Sequence, residues 1–94
     1  MNKPLNVGDL VISIAGRDKG EIFLVVDCNE SRAFIVDGRL RKIKKPKNKN
    51  IKHLKKVSKA SLIEFAIRIQ KGESVANEKV YRKIKAEKEK IQED

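Results

Sequence analysis

The chain has one cysteine, one histidine, no tryptophan and only four Phe or Tyr residues (Phe23, Phe34, Phe65 and Tyr81) among its 94 residues. The lone Cys28 excludes an intramolecular disulfide, and Cys28 and His53 by themselves cannot make a zinc site of those ligands. With so few rings, the core must be thin and aliphatic, built mainly from Val, Ile and Leu. Cys28 lies inside an apolar run and is expected to belong to that core.

Long apolar stretches are missing too. The longest unbroken one, Ile22 to Val26, is far below the roughly 20 residues that a helical membrane span requires. No apolar leader follows Met1, because Gly8-Asp9 arrives where a signal sequence would continue, so a cytoplasmic chain is expected. Catalytic groups are scarce: Asp9, Asp18, Asp27 and Asp37 are scattered over turns and strand ends. The spacing Gly16-x-x-x-Gly20 matches neither a dinucleotide fingerprint nor a phosphate loop. Neither an enzyme nor a cofactor, metal or small-molecule substrate is expected.

Acidic residues are absent from one long segment. Residues 1–37 carry four bases and six acids, residues 38–63 carry eleven bases and no acid, and residues 64–94 carry eight bases and seven acids. The whole excess of the +10 net charge therefore sits in one continuous stretch, which points to a contact surface for a polyanion. Anionic lipid fits poorly. Residues 39–59 lack the bulky apolar face of a membrane-surface helix, and Pro46 interrupts any helix there.

Hydropathy alternates with a period of two from Asp9 to Ala15, and Glu21 to Cys28 and Arg32 to Val36 also read as strands. Asp37-Gly38 predicts a tight hairpin leading into a fourth strand that starts near Leu40, keeps Ile43 inward and ends at Pro46. Lys47 to Asn50 reads as a flexible basic loop and Ile51 to Leu54 as a short closing strand. After Val57 the period becomes helical. Ser61 and Glu64 make a capping-box pattern, Leu62, Phe65, Ala66 and Ile69 recur at helical spacing, and Gly72 supplies a stop. Ile63 and Ile67 widen this apolar arc, so the helix should touch the sheet and also a second helix over about Asn77–Ile91, which carries the stripe Val80, Ile84 and Ile91. The expected architecture is a small five-stranded barrel over residues 1–57 and a helical extension over 58–94. Leu10, Ile12, Val25, Ile35, Ile43 and Leu62 should share one core.

The run Val7-Gly-Asp-Leu-Val-Ile-Ser-Ile-Ala-Gly16-Arg-Asp-Lys19-Gly20-Glu-Ile-Phe-Leu-Val-Val resembles the KOW motif, a strand-loop-strand unit of ribosomal proteins and transcription elongation factors. The following stretch, from Val36 to Leu54, is similar to the continuation found in KOW-class large-subunit ribosomal proteins of archaea and eukaryotes and in their compact bacterial relatives. The likeness covers roughly residues 7–56 and implies an SH3-like barrel that contacts ribosomal RNA. It implies that Gly16, Arg17, Lys19 and Gly20 form the signature loop, Asp37 and Gly38 the hairpin, and His53-Leu54 the close of the barrel. Phe23 departs from the pattern, standing where KOW motifs often have a small residue.

The expected function is binding of structured RNA, ribosomal RNA above all, on or with the ribosome. Phosphate contacts are expected from Arg17, Lys19, Arg39, Arg41, Lys42, Lys44, Lys45, Lys47, Lys49, Lys52, Lys55 and Lys56. These side chains suit the task because each neutralised phosphate releases condensed counterions, and arginine adds a planar fork for two oxygens. His53 is expected to make a structural hydrogen bond at a strand end, and Phe23, Phe34 and Phe65 to lie in the core. The alternative is a KOW adaptor that docks on transcription or translation machinery through its C-terminal helices.

Overall fold

The computed structural model of the protein describes residues 4–92, apart from the side chains of residues 58–60, 91 and 92. Strands β1 (Asp9–Ser13), β2 (Ile22–Cys28), β3 (Arg32–Val36), β4 (Lys47–Asn50) and β5 (Leu54–Ser61) form one antiparallel sheet, followed by helices α1 (Ile63–Gln70) and α2 (Asn77–Gln92). The strand order is β4-β3-β2-β1-β5, so β4 and β5 are the two edges. Yet they are joined only by a 3₁₀ turn at Ile51–His53, a link that spans no more than about 14 Å fully extended. The edges must therefore come round toward each other. The sheet curls into a half-barrel, which is the expected small barrel followed by two helices.

The strands carry two apolar faces. Val11, Phe23, Val25, Cys28, Ala33, Ile35 and Leu54 pack inside the curl together with Leu5 from the N-terminal segment. Leu10, Leu24, Val26 and Val36 face the other way and are covered by Phe65, Ala66 and Ile69 of α1 and by Val80 and Ile84 of α2. Alternation along β2 sends Phe23 and Val25 to the interior and Leu24 and Val26 to the helix side, and a register shift follows between Val25 and Asp27. The extra residue resets the alternation, so that Cys28 and not Asp27 enters the interior, and it bends the strand. The Cys28 thiol donates to the Leu5 carbonyl at 3.2 Å.

The expectation of a single core is thus corrected. Leu10 belongs to the helix-covered cluster and Val25 and Ile35 to the interior one, with the sheet between them, while Ile43 and Leu62 are only partly buried against the helix side and Ile12, also partly buried, belongs to neither cluster. Phe23 is wholly buried opposite Val11 and is one of the main volumes of the interior.

The segment after β3 departs most from the sequence reading. No tight hairpin forms at Asp37-Gly38, and Leu40–Lys45 is not a strand. The Asp37 carboxylate instead accepts the backbone N–H groups of Arg39 (2.9 Å) and Arg41 (2.8 Å), while the Asp37 and Gly38 N–H groups donate to the Arg41 carbonyl. Ile43 N–H donates to Asn77 Oδ1 at 2.8 Å, and Lys45 N–H donates to the Lys42 carbonyl. The donors of Arg39, Arg41 and Ile43, which an extended strand would turn to one edge, are committed this way and do not form a ladder there. Gly38 has φ 83°, and a Cβ there would stand 2.2 Å from the Asn77 carbonyl oxygen, so the turn lies directly against the start of α2. Pro46 precedes a strand, β4, over the residues read as a flexible loop, and the expected closing strand at Ile51–Leu54 is mostly the 3₁₀ turn.

The change of period near Ser58 falls inside β5. Ser61 pairs with Asp9, so it stays extended, and the capping box with Glu64 does not form; Leu62 is the N-cap, with no side-chain cap bond. Leu62 N–H donates to the Gly8 carbonyl instead, at 2.8 Å. At the other end Gly72 stops α1 as expected: its N–H reaches the Ile69 carbonyl and Glu73 N–H reaches Arg68, the paired closure of a left-handed helix terminus. Both helices lie along β2, and Ile63 remains 52% exposed, so α2 does not cover the full apolar arc of α1. The side chain of Ile91, the last member of the predicted stripe, lies outside the described residues.

Candidate functional site

The loop between β1 and β2 is closed by its own backbone. Gly20 N–H donates to the Ser13 carbonyl (2.8 Å), Ser13 N–H to Glu21 (2.9 Å) and Glu21 N–H to Asp18 (2.9 Å). Arg17 and Lys19 are exposed on this loop, while Asp18 between them turns inward.

Asp18 is the centre of an ion cluster that reaches across the curl to β4. One carboxylate oxygen accepts from Lys47 Nζ at 2.8 Å, and the other is held by Lys49 Nζ and by Ser13 Oγ (2.6 Å). Lys49 Nζ also donates to Ser13 Oγ (2.8 Å) and to the Ala15 carbonyl (2.9 Å), which satisfies an ammonium whose side chain is only 6% exposed. Burial by itself would raise the Asp18 pKa. The hydrogen bonds from Lys47, Lys49 and Ser13 outweigh it and hold the carboxyl well below the usual carboxylate range.

The register of β4 explains this. Lys47 pairs with Ile35 and Lys49 with Ala33, both interior residues, so the two lysines point inward where a strand would ordinarily place apolar side chains. Of the twelve basic residues expected to meet phosphate, these two are therefore engaged inside the protein. Lys49 is buried and Lys47 largely covered, and their role here is to tie the loop to the sheet edge.

The other ten fall into three groups. Arg17 and Lys19 stand on the β1–β2 loop. Arg39, Arg41, Lys42, Lys44 and Lys45 lie on the 37–46 segment, where Arg41 is half-buried and the rest are exposed. Arg39 is held, its guanidinium 3.7 Å from the Tyr81 ring centroid and 3.8 Å from Glu78, both on α2. Lys52, Lys55 and Lys56 are exposed along the 3₁₀ turn and β5, with Lys56 3.5 Å from the buried Asp9 carboxylate. His53 is exposed, and it is its backbone carbonyl that makes the structural bond, accepting Ile14 N–H at 2.9 Å.

The first two groups meet. Arg17, Asp18 and Glu21 from the loop, Leu40 and Arg41 from the 37–46 segment and Lys47 from β4 line one cleft of about 410 Å³, with Phe23 beneath. Sequence reasoning did not find this cleft, nor the inward use of Asp18. The alternation of lysine and asparagine from Lys47 to Asn50 was the available signal for β4, but it carries no apolar residue.

Among the described residues no cluster of three His, Cys, Asp or Glu side chains could hold a metal ion, and no helix is long and apolar enough to cross a membrane. No protein-family model matches the chain, and no curated protein does.

Proposed function

We propose that the chain is a non-catalytic RNA-binding protein of the KOW type, gripping structured RNA, with ribosomal RNA as the expected target and the ribosome in the cytoplasm as its setting. The observation that carries this reading is the meeting of two basic regions far apart in sequence. The β1–β2 loop with Arg17 and Lys19 is tied through Asp18 to β4, beside the acid-free segment that bears Arg39 to Lys45. Exposed cations on fixed turns suit phosphate oxygens, which position a helical RNA without reading its bases. The aromatic residues support the same view: Phe23 and Phe65 are buried, Phe34 is partly buried against the helix-side cluster and the Tyr81 ring lies under Arg39, which favours backbone and shape as the main features recognised.

The test is binding of the purified chain to protein-free ribosomal RNA over a range of salt. Use of about six phosphates gives a log-log slope of about −5. Reversal of Lys42, Lys44 and Lys45 to Glu should weaken binding at least about tenfold, and far more than reversal of Lys83, Lys85 and Lys88, whose field is offset by Glu87 and Glu89. A salt-independent affinity, or equal losses from the two triple variants, would overturn the reading.

One observation favours a second reading, an adaptor that docks through its helices. Ile63 is exposed beside Leu62, Arg68 and Lys83 in a groove of about 390 Å³ between α1 and α2. A chain that ignores protein-free RNA yet sediments with ribosomes would support it.

A further inference from the structure

The turn from Asp37 to Arg41 presents an apolar side chain to solvent from a rigid base. Leu40 is 66% exposed, although the backbone N–H groups on either side of it, those of Arg39 and Arg41, are both fixed by Asp37 Oδ1. The base is anchored further by Gly38 against Asn77 and by Arg39 stacked on Tyr81. A single exposed leucine is ordinary on a protein surface. This one is different in its setting, because it forms a wall of the cleft that also contains Arg17, Arg41 and Glu21.

Resting on the RNA-binding reading above, we propose that this cleft is a subsite for one unstacked nucleotide of the bound RNA, its base against Leu40 and its phosphate on Arg17 and Arg41. The chemistry matches part by part. A base taken out of its stack exposes an apolar face, and Leu40 offers a preformed surface to cover it. The guanidinium groups supply forked donors for the adjoining phosphate. Asp18 brings no net repulsion to the site, since Lys47 and Lys49 neutralise it, while the Glu21 carboxylate is acceptor-only and suits a base edge that carries N–H donors. The volume, about 410 Å³, admits a nucleotide but not a helix. The preferred RNA is therefore a stem with a bulged or looped-out residue.

The experiment uses the full chain and two RNA stems, one fully paired and one identical except for a single bulged 2-aminopurine. The wild-type chain should bind the bulged stem about fivefold more tightly, the gain expected from covering part of one apolar side chain. The 2-aminopurine fluorescence should rise on binding as the base leaves the quenching stack. Leu40→Ser, at an exposed position, should melt like the parent, keep its affinity for the paired stem and lose the fivefold preference. Equal binding of both stems by the wild-type chain, or a preference that survives Leu40→Ser, overturns the subsite while leaving RNA binding intact. Failure to bind either stem or ribosomal RNA at any salt concentration overturns the RNA-binding reading, and the subsite with it.

Discussion

Asp18 and Lys49 stand 31 residues apart in sequence and form an ion pair at the mouth of the curled sheet, joining the β1–β2 loop to the edge strand β4. Two hydrogen bonds from the Lys49 ammonium, to Ser13 and Ala15, complete its coordination. An ammonium taken out of water is tolerable only with such partners, and removal of the carboxylate would leave it uncompensated.

Asp18→Asn should therefore destabilise the fold by about 3 kcal/mol at pH 7, near the low end for breaking a buried pair from one side. The pH dependence follows from the depressed carboxyl. Its contribution is complete above the unfolded carboxylate pKa of about 4 and is lost as pH falls from there toward the lower folded value. Urea unfolding from pH 7 to pH 2 should show the gap between parent and variant narrowing below about pH 4. A constant gap across that range would mean that Asp18 ionisation contributes nothing to stability.

Replacing Arg17 and Lys19 together by Ala leaves the loop hydrogen bonds and the Asp18 cluster in place, so stability should change by no more than about 0.5 kcal/mol. Affinity for cognate ribosomal RNA should nonetheless fall, and fall more than affinity for an unrelated duplex, because cations at a fixed tip set orientation as well as charge. Thermal melts combined with ribosome occupancy in a sucrose gradient check this. Normal melting with full occupancy would reduce the loop to a simple turn.

Gly38→Ala should cost about 2 kcal/mol or more. The new Cβ meets backbone atoms of α2, with the Asn77 carbonyl oxygen at 2.2 Å, at a φ of 83° that L side chains rarely adopt. The turn and the helix start must separate, and the Ile43–Asn77 hydrogen bond with them. Denaturant unfolding gives the loss, and amide exchange at Ile43 should rise. A variant as stable as the parent would show that this contact is dispensable.

Three of the five strands and both helices were legible because apolar residues mark their buried sides. Alternation gave Asp9–Ser13, branched residues gave Ile22–Cys28 and Arg32–Val36, helical spacing gave Phe65, Ala66 and Ile69, and Gly72 gave the end of α1. β5 was not legible: the expected closing strand meets it only at Leu54, and its run to Ser61 was not foreseen. The capping-box pattern at Ser61 misled because strand pairing with Asp9 held that residue extended, and a long-range ladder overrode a local preference.

The sequence alone determined the placement of the positive charge, with every base of residues 38–63 free of an acidic neighbour along the chain, and with it the expectation of a polyanionic partner. Tertiary structure decided which of those bases face outward. β4 carries lysines on its inner side, so no hydropathy pattern betrays it, and it exists as a strand because Asp18, brought across by the curl of the sheet, neutralises Lys47 and Lys49 where solvent no longer can. The same holds for residues 37–46. Their pattern suggested a strand, but Asp37 and Asn77 took the backbone donors that a ladder would need, because hydrogen-bonding groups go to the partners that folding brings within reach.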